Sequence, residues 1–120
     1  MEFKGYCCNF KVDLNKDIFL PSSFIIPSFL PILYEHKKII GYVTYIKENL
    51  NGLYIEFYIK NINTFIMKKI FDGFLNNLSI GFRPIKYFYK NNIRHIKLLE
   101  VIEISIVEKP AQINTKFYLK

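Results

Sequence analysis

Two histidines, His36 and His95, and five serines are the side chains that could pair an imidazole base with a hydroxyl nucleophile near neutral pH. Ser22, Ser23 and Ser28 fall in a proline-rich stretch, where turn or capping roles account for them. Ser79 differs, because it opens the strand pattern Ser79-Ile80-Gly81-Phe82, where Gly81 leaves the backbone accessible beside a hydroxyl. His36 stands in Leu33-Tyr34-Glu35-His36-Lys37-Lys38, at the entrance to a strand, and taken alone reads as an exposed histidine in a charged loop. Spacing alone does not bring His36 to Ser79. Cys7 and Cys8 are adjacent, which is unsuited to an ordinary disulfide and offers no metal-ligand spacing with either histidine. A reducing compartment and no structural zinc follow as expectations.

The elements that must position these groups are mostly strands. Ile39 to Lys47 is β-branched and aromatic, and Asn49-Leu50-Asn51-Gly52 supplies a turn. Leu53, Ile55, Phe57 and Ile59 then alternate with Tyr54, Glu56 and Tyr58, which together predict a hairpin. A second hairpin is predicted from Arg83 to Leu98 around Asn91-Asn92. A third pattern, Val101 to Val107, places Ile102, Ile104 and Ile106 on one face and Glu103 and Ser105 on the other. Between the hairpins, Asn63 caps a predicted amphipathic helix from about Thr64 to Asn76. Asp13 to Asp17 reads as a polar loop after the first strand, and Pro21, Pro27 and Pro31 make the next stretch a constrained connection or short helix. Short strands, one helix and no βαβ alternation predict an α+β chain dominated by a small, mainly antiparallel β-barrel.

A chain of 120 residues predicts one domain over 1–120, and 51% hydrophobic with 22% charged residues excludes disorder as a class. Apolar runs such as Phe24-Ile25-Ile26 are broken by prolines and fall far short of the roughly 20 residues that span a bilayer. The N-terminus lacks a secretory pattern, so the chain is expected to stay where it is made. A net charge of +7 with 18% aromatics suits a groove for single-stranded nucleic acid. Yet only Arg83 and Arg94 are arginines, and Lys, Asn, Ile, Phe and Tyr are spread throughout, as an A+T-rich coding sequence would give. Any acidic partner satisfies the same charge.

Taken in order, the blocks resemble the prohead maturation serine proteases of tailed bacteriophages, a family similar in fold to the herpesvirus assemblins. Gly5-Tyr6-Cys7-Cys8-Asn9-Phe10 with Asp13 and Asp17 is similar to the family's first strand and acidic loop, and Phe24 to its pre-catalytic phenylalanine. Leu33-Tyr34-Glu35-His36 followed by Ile40-Gly41-Tyr42-Val43 resembles its histidine block. Gly52-Leu53-Tyr54 then matches a hairpin, and Leu78-Ser79-Ile80-Gly81-Phe82 matches the serine block letter for letter. Ile102-Glu103-Ile104-Ser105-Ile106-Val107 with Pro110-Ala111 resembles the last block.

The resemblance implies Ser79 as nucleophile, His36 as general base and Glu103 as the acid that orients it, with Glu100 as the rival for the acid. Glu100 and Glu103 fall on opposite faces of a regular strand. Ser105 shares Glu103's face as packing or support, His95 is structural, and backbone N–H groups near the last strand's end are the expected oxyanion donors. The implied activity is a serine endopeptidase that cleaves scaffold segments of a major capsid or scaffolding protein, and itself, inside the procapsid in the bacterial host's cytoplasm. Homo-oligomers are compatible with this; a cofactor, a metal, a membrane or nucleic acid is not expected. The chain is shorter than the family pattern before the first strand and after Pro110-Ala111, while keeping the catalytic types at all three positions. The alternative is a non-catalytic basic β-barrel that binds single-stranded nucleic acid or serves as a structural capsid component.

Overall fold

The computed structural model describes residues 1–60 and 64–120. In chain order these form β1 (Glu2–Cys8), β2 (Asp17–Phe19), β3 (Phe24–Ile25), β4 (Pro31–Tyr34), β5 (Lys38–Asn49), β6 (Gly52–Ile59), α1 (Thr64–Phe71), β7 (Asn77–Lys90), β8 (Ile93–Val107) and β9 (Phe117–Leu119). All the strands belong to one sheet, curled into a half-barrel, with the path β2-β8-β4-β5-β6-β1-β9; β3 and β7 also pair with β8.

Strand β8 organises the sheet. Along one edge it runs antiparallel to β7 from Asn77↔Val107 to Lys90↔Ile93. Its other edge takes β2, β3 and β4 one after another, all parallel: Ile18 opposite His95, Phe24 opposite Leu99, Leu33 opposite Ser105. The prolines explain this segmentation. Proline cannot donate to a ladder, so Pro21 and Pro27 fall between the short strands and Pro31 is the first residue of β4. The proline stretch anticipated as a connection or short helix therefore holds two strand fragments, β3 and β4, which continue along β8 from β2.

Both predicted hairpins form, and each turn has its local cause. Gly52 takes φ 140°, which a side chain would strain, and Asn49 Oδ1 accepts from the Asn51 amide at 2.8 Å. Asn91 and Asn92 lie at φ 53° and 63°, the two left-handed positions of a type I′ turn whose twist matches its strands. The second hairpin is longer than its sequence pattern suggested. Arg83–Leu98 and Val101–Val107 are parts of one ribbon, and β7 begins at Asn77, two residues before Ser79.

The helix ends at Phe71 rather than near Asn76. Gly73 at φ 85° receives the chain, its amide donating to Ile70 O and the Phe74 amide to Lys69 O, the paired bonds of a Schellman stop. The predicted cap, Asn63, lies outside the described residues. Ile66, Met67 and Leu75 turn inward to a core that includes Phe3, Ile55, Phe57, Ile59, Ile96 and Ile104. Each fully buried side chain of this kind contributes roughly 1.5–3 kcal/mol. The alternation predicted for β6 holds, with Leu53, Ile55, Phe57 and Ile59 all buried.

Candidate active site

The loop between β4 and β5 is a four-residue reversal closed by the Lys37 amide donating to Tyr34 O at 3.0 Å. Its central residues, Glu35 at φ 50° and His36 at φ 61°, are both left-handed, and neither is glycine or asparagine. Such backbone costs about 1–2 kcal/mol per residue. The end of β8 and its continuation hold it in place: the Glu35 amide donates to Ile106 O at 3.0 Å, and Glu35 Oε1 accepts from the Glu108 amide at 3.1 Å. The His36 amide donates to Ser105 Oγ at 3.0 Å. The His36 side chain remains 45% exposed while its Nδ1 meets Glu103 Oε1.

Glu103 and Ser105 lie on one face of β8, opposite Gly81 and Ser79 of β7 respectively. Immediately below, the register shifts so that Gly81 faces Glu103 while Phe82 faces Val101, leaving Ile102 as the extra residue of a bulge beside the site. Ile102 is exposed, whereas Glu103 through Val107 are buried, so the alternation read from sequence fails here. The reason is that the reversal and the segment after β8 cover the face that holds Glu103 and Ser105. The Glu103 carboxylate is divided between two partners: Oε1 meets His36 Nδ1, and Oε2 accepts from Ser105 Oγ at 2.7 Å. Gly81 makes room for it. A β-carbon there would overlap Oε1 and stand 2.7 Å from Cδ and 2.9 Å from Cγ of Glu103.

Ser79 and His36 line a common cavity of about 390 Å³. Its apolar wall includes Phe19, Leu78 and Phe82, and its other side is built from Asp13, Asn15 and the Lys109–Gln112 segment. A buried exchange joins that side: the Asn9 amide donates to Gln112 Oε1 at 2.9 Å, and Gln112 Nε2 donates to Asn9 O at 3.2 Å and Lys11 O at 3.1 Å. Asp13 Oδ1 accepts from the Asn15 and Asp17 amides at 2.8 and 2.9 Å. Burial nonetheless pushes the Asp13 carboxyl above its ordinary value, against the lowering effect of those two amides.

The other candidates are placed elsewhere. Glu100 meets Arg83 in an exposed pair at 3.4 Å. His95 stacks on Phe88 with ring centroids 4.8 Å apart and donates from Nδ1 to Ile93 O at 3.0 Å. Ser22 sits in a turn at φ 62°, and Ser23 Oγ is buried without a hydrogen-bond partner among the described residues. Phe24 packs between Phe10 and Phe19. Cys7 and Cys8 are buried free thiols, and burial raises the Cys8 thiol well above its ordinary value. Among the described residues no group of His, Cys, Asp and Glu is arranged to hold a metal ion, and no helix is long and apolar enough to cross a membrane. Sequence reasoning missed the two left-handed residues of the reversal and the intrusion of Glu103 over Gly81. Glycine at 81 was the available signal, but it was read as access to backbone and not as space for a carboxylate.

The arrangement leaves His36 with Nδ1 committed to a carboxylate and its other ring nitrogen without a hydrogen-bond partner among the described residues, on a cavity that Ser79 also lines. That is the layout for removing a proton from an attacking hydroxyl. The fold is shared with two viral proteases. KSHV protease, solved in complex with a hexapeptide phosphonate inhibitor, superposes with a TM-score of 0.61 at 11% identity, covering 97% of this chain and 63% of that one. Varicella-zoster virus protease gives 0.60 at 14% identity, covering 97% and 62%. The chain thus spans somewhat under two-thirds of the length of either. No curated protein sequence matches it. The family model for caudovirus prohead serine protease matches residues 2–120, and the chain belongs to that family.

Proposed function

We propose that this protein is a serine endopeptidase of capsid maturation in which Ser79 is the nucleophile, His36 the general base and Glu103 the residue that orients it. The observation that carries the reading is the division of labour around His36: one ring nitrogen meets Glu103 while the ring lines the cavity that Ser79 lines. Family membership supports it independently.

A serine hydroxyl is a weak nucleophile until a base takes its proton during attack. In this reading Nε2 of His36 removes the Ser79 proton as Oγ bonds to the scissile carbonyl carbon, and then gives it to the departing amine. Water, activated by the same nitrogen, releases the acyl group and restores Ser79. Glu103 stays ionised, holds the proton on Nδ1 and stabilises the imidazolium. For the oxyanion, the Glu108 amide is engaged by Glu35 and Pro110 has none, so we assign the Lys109 and Ala111 amides on the cavity wall.

The substrate we assign is an extended scaffold segment of the major capsid or scaffolding protein encoded with this protease, cleaved within the procapsid in the host cytoplasm, and segments of the protease itself are cleaved in the same way. On its other edge β7 is closed as far as Leu78, where Asn77 bridges Lys116 and the Leu78 amide donates to Thr115 O at 2.8 Å, and from Ser79 onward it pairs with no other described strand. Beyond Gly81 the strand carries Pro84 and its ladder with β8 shifts register repeatedly, a proline and a bent backbone that discourage strand addition. A substrate strand is thereby confined to the few residues around the nucleophile.

The test is co-expression with the cognate capsid protein, comparing wild type with Ser79→Ala and following capsid-subunit mass by intact mass spectrometry. A shorter subunit with wild type alone is the expected result. Full-length subunit in both cases, from particles that assemble, would replace the protease reading with that of a structural capsid component.

A further inference from the structure

We propose that Ser105 is a positioning residue for the catalytic pair, its one hydroxyl fixing both the reversal that carries His36 and the carboxylate oxygen that His36 meets. The inference rests on the reading of Ser79, His36 and Glu103 given above. Ser105 is fully buried and lies directly across the ladder from Ser79.

Proton count determines the direction of every bond in this group. The His36 amide can only donate, so at 3.0 Å Ser105 Oγ accepts from it through a lone pair. The hydroxyl's own single proton then goes to Glu103 Oε2 at 2.7 Å, a length suited to a hydroxyl on a carboxylate. With Oε2 supplied by Ser105, Oε1 is the oxygen presented to His36 Nδ1. An ionised carboxylate only accepts, so Nδ1 must carry the ring proton and Nε2 must carry the lone pair that a base needs. The order amide, hydroxyl, carboxylate, imidazole therefore has one consistent polarity, ending at the nitrogen that acts on Ser79.

The two contacts of Ser105 also bind together parts with opposite tendencies. The reversal places a non-glycine residue at φ 61° and would relax if its amide lost its acceptor. The Glu103 carboxylate, mostly buried, would turn to another donor if it lost Ser105. Either movement displaces the ring from the nucleophile, and a misplacement of about 1 Å costs on the order of 10²-fold in rate.

The experiment compares the full chain carrying Ser105→Ala, Ser105→Thr and Ser105→Val, the last two alike in shape and differing in the hydroxyl. Two readings are taken: the rate of Ser79 modification by a fluorophosphonate probe, and the tautomer of His36 from the 15N shifts of its ring above the imidazole titration. Wild type should hold the proton on Nδ1. Ser105→Ala and Ser105→Val should give a mixture of tautomers and label about 10²-fold more slowly, with Ser105→Thr recovering most of both. Equal labelling rates and an unchanged tautomer in Ser105→Ala, or equal behaviour of the Thr and Val variants, would overturn the proposal. A wild type that holds the Nδ1 proton but never labels at Ser79 would refute the protease reading and leave the positioning claim to the tautomer alone.

Discussion

The side chain of Glu103 lies across the α-carbon of Gly81, so adding one methyl group to β7 should disable the site without removing any reactive atom. In Gly81→Ala the new β-carbon would overlap Oε1 and lie well inside contact distance of Cδ and Cγ. Gly81 has no positive φ, so the substitution is not opposed by backbone conformation. The collision must be relieved by swinging the carboxylate away, because β7 is held to β8 above and below by the ladder, from Ile80↔Ile104 to Phe82↔Val101. Swinging it away breaks both of its contacts, to His36 Nδ1 and to Ser105 Oγ.

Hydrogen bonds to a charged group contribute about 1.5–3 kcal/mol each, so losing two removes about 3–6 kcal/mol of orientation and imidazolium stabilisation. At 1.36 kcal/mol per decade this is a fall of about 10²–10⁴ in kcat/KM. The assay is turnover of a peptide spanning the cut site identified by mass spectrometry, with thermal unfolding measured alongside. Gly81→Ala should approach the residual activity of Glu103→Ala, and the double variant should be no worse than either single one, since both remove the same contact. Activity of Gly81→Ala within threefold of wild type would refute the reasoning, because the carboxylate would then have found room that the geometry denies it.

Other consequences can be measured separately. Asp17 receives Arg94 through two bonds of 2.7 and 2.9 Å and is nearly buried, so Asp17→Ala should cost about 3–5 kcal/mol in chemical denaturation by leaving the guanidinium without its partner. For Asp13 the folded-state pKa is raised, so the fold binds a proton more tightly than the unfolded chain, and this group adds stability as pH falls through its folded pKa toward its ordinary value of 3.8. Asp13→Asn keeps the oxygen that accepts from the Asn15 and Asp17 amides, so it should be at least as stable as wild type at pH 7, with its advantage shrinking in urea melts taken toward pH 4. At Gly73 there is open space but φ is 85°, so Gly73→Ala should lose about 1 kcal/mol, seen as a fall of a few degrees in Tm, with Gly73→Asn losing less.

The parts legible in the sequence were those in which local preference and final structure agree. Asn51-Gly52 and Asn91-Asn92 are turns by their own conformational freedom, and the alternation from Leu53 to Ile59 names its inward face. The resemblance brought His36, Ser79 and Glu103 forward as a set, and the half-barrel was anticipated in outline. What stayed hidden depends on partners remote in sequence. The reversal at Glu35-His36 has neither glycine nor asparagine to announce it, because its amides are satisfied by Ile106 and Ser105, some 70 residues away. The three parallel fragments from Asp17 to Tyr34 are too short to show a period, and only the length of β8 makes them strands. β9 is three residues recruited by β1, with Gly5 opposite Phe117. The helix end was readable at Gly73, but the apolar pattern through Phe74 and Leu75 extended past it.

The same dependence on β8 explains why a histidine sits in a conformation it does not favour. A base placed on a regular strand would have its direction fixed by the pleat, and moving it toward the nucleophile would require moving the whole strand. Here the base rides on a reversal whose direction is fixed by four contacts, and all four are made to β8 or the residue that follows it: Ile106, Glu108, Ser105 and Glu103. The orienting acid belongs to β8, and the strand carrying Ser79 is registered on β8 residue by residue. The three candidate groups thus take their positions from one element, so a disturbance of the reversal is opposed by the strand that also locates the serine. The cost of two left-handed residues, about 2–4 kcal/mol together, is offset by those contacts only while β8 is in place. Loosening the end of β8 should release the histidine before it unfolds the sheet. Val107→Ala, which thins the packing of the last β8 residue opposite Asn77, should therefore slow fluorophosphonate labelling of Ser79 by a larger factor than its fall in Tm implies; equal losses would mean that the reversal keeps its shape without the strand.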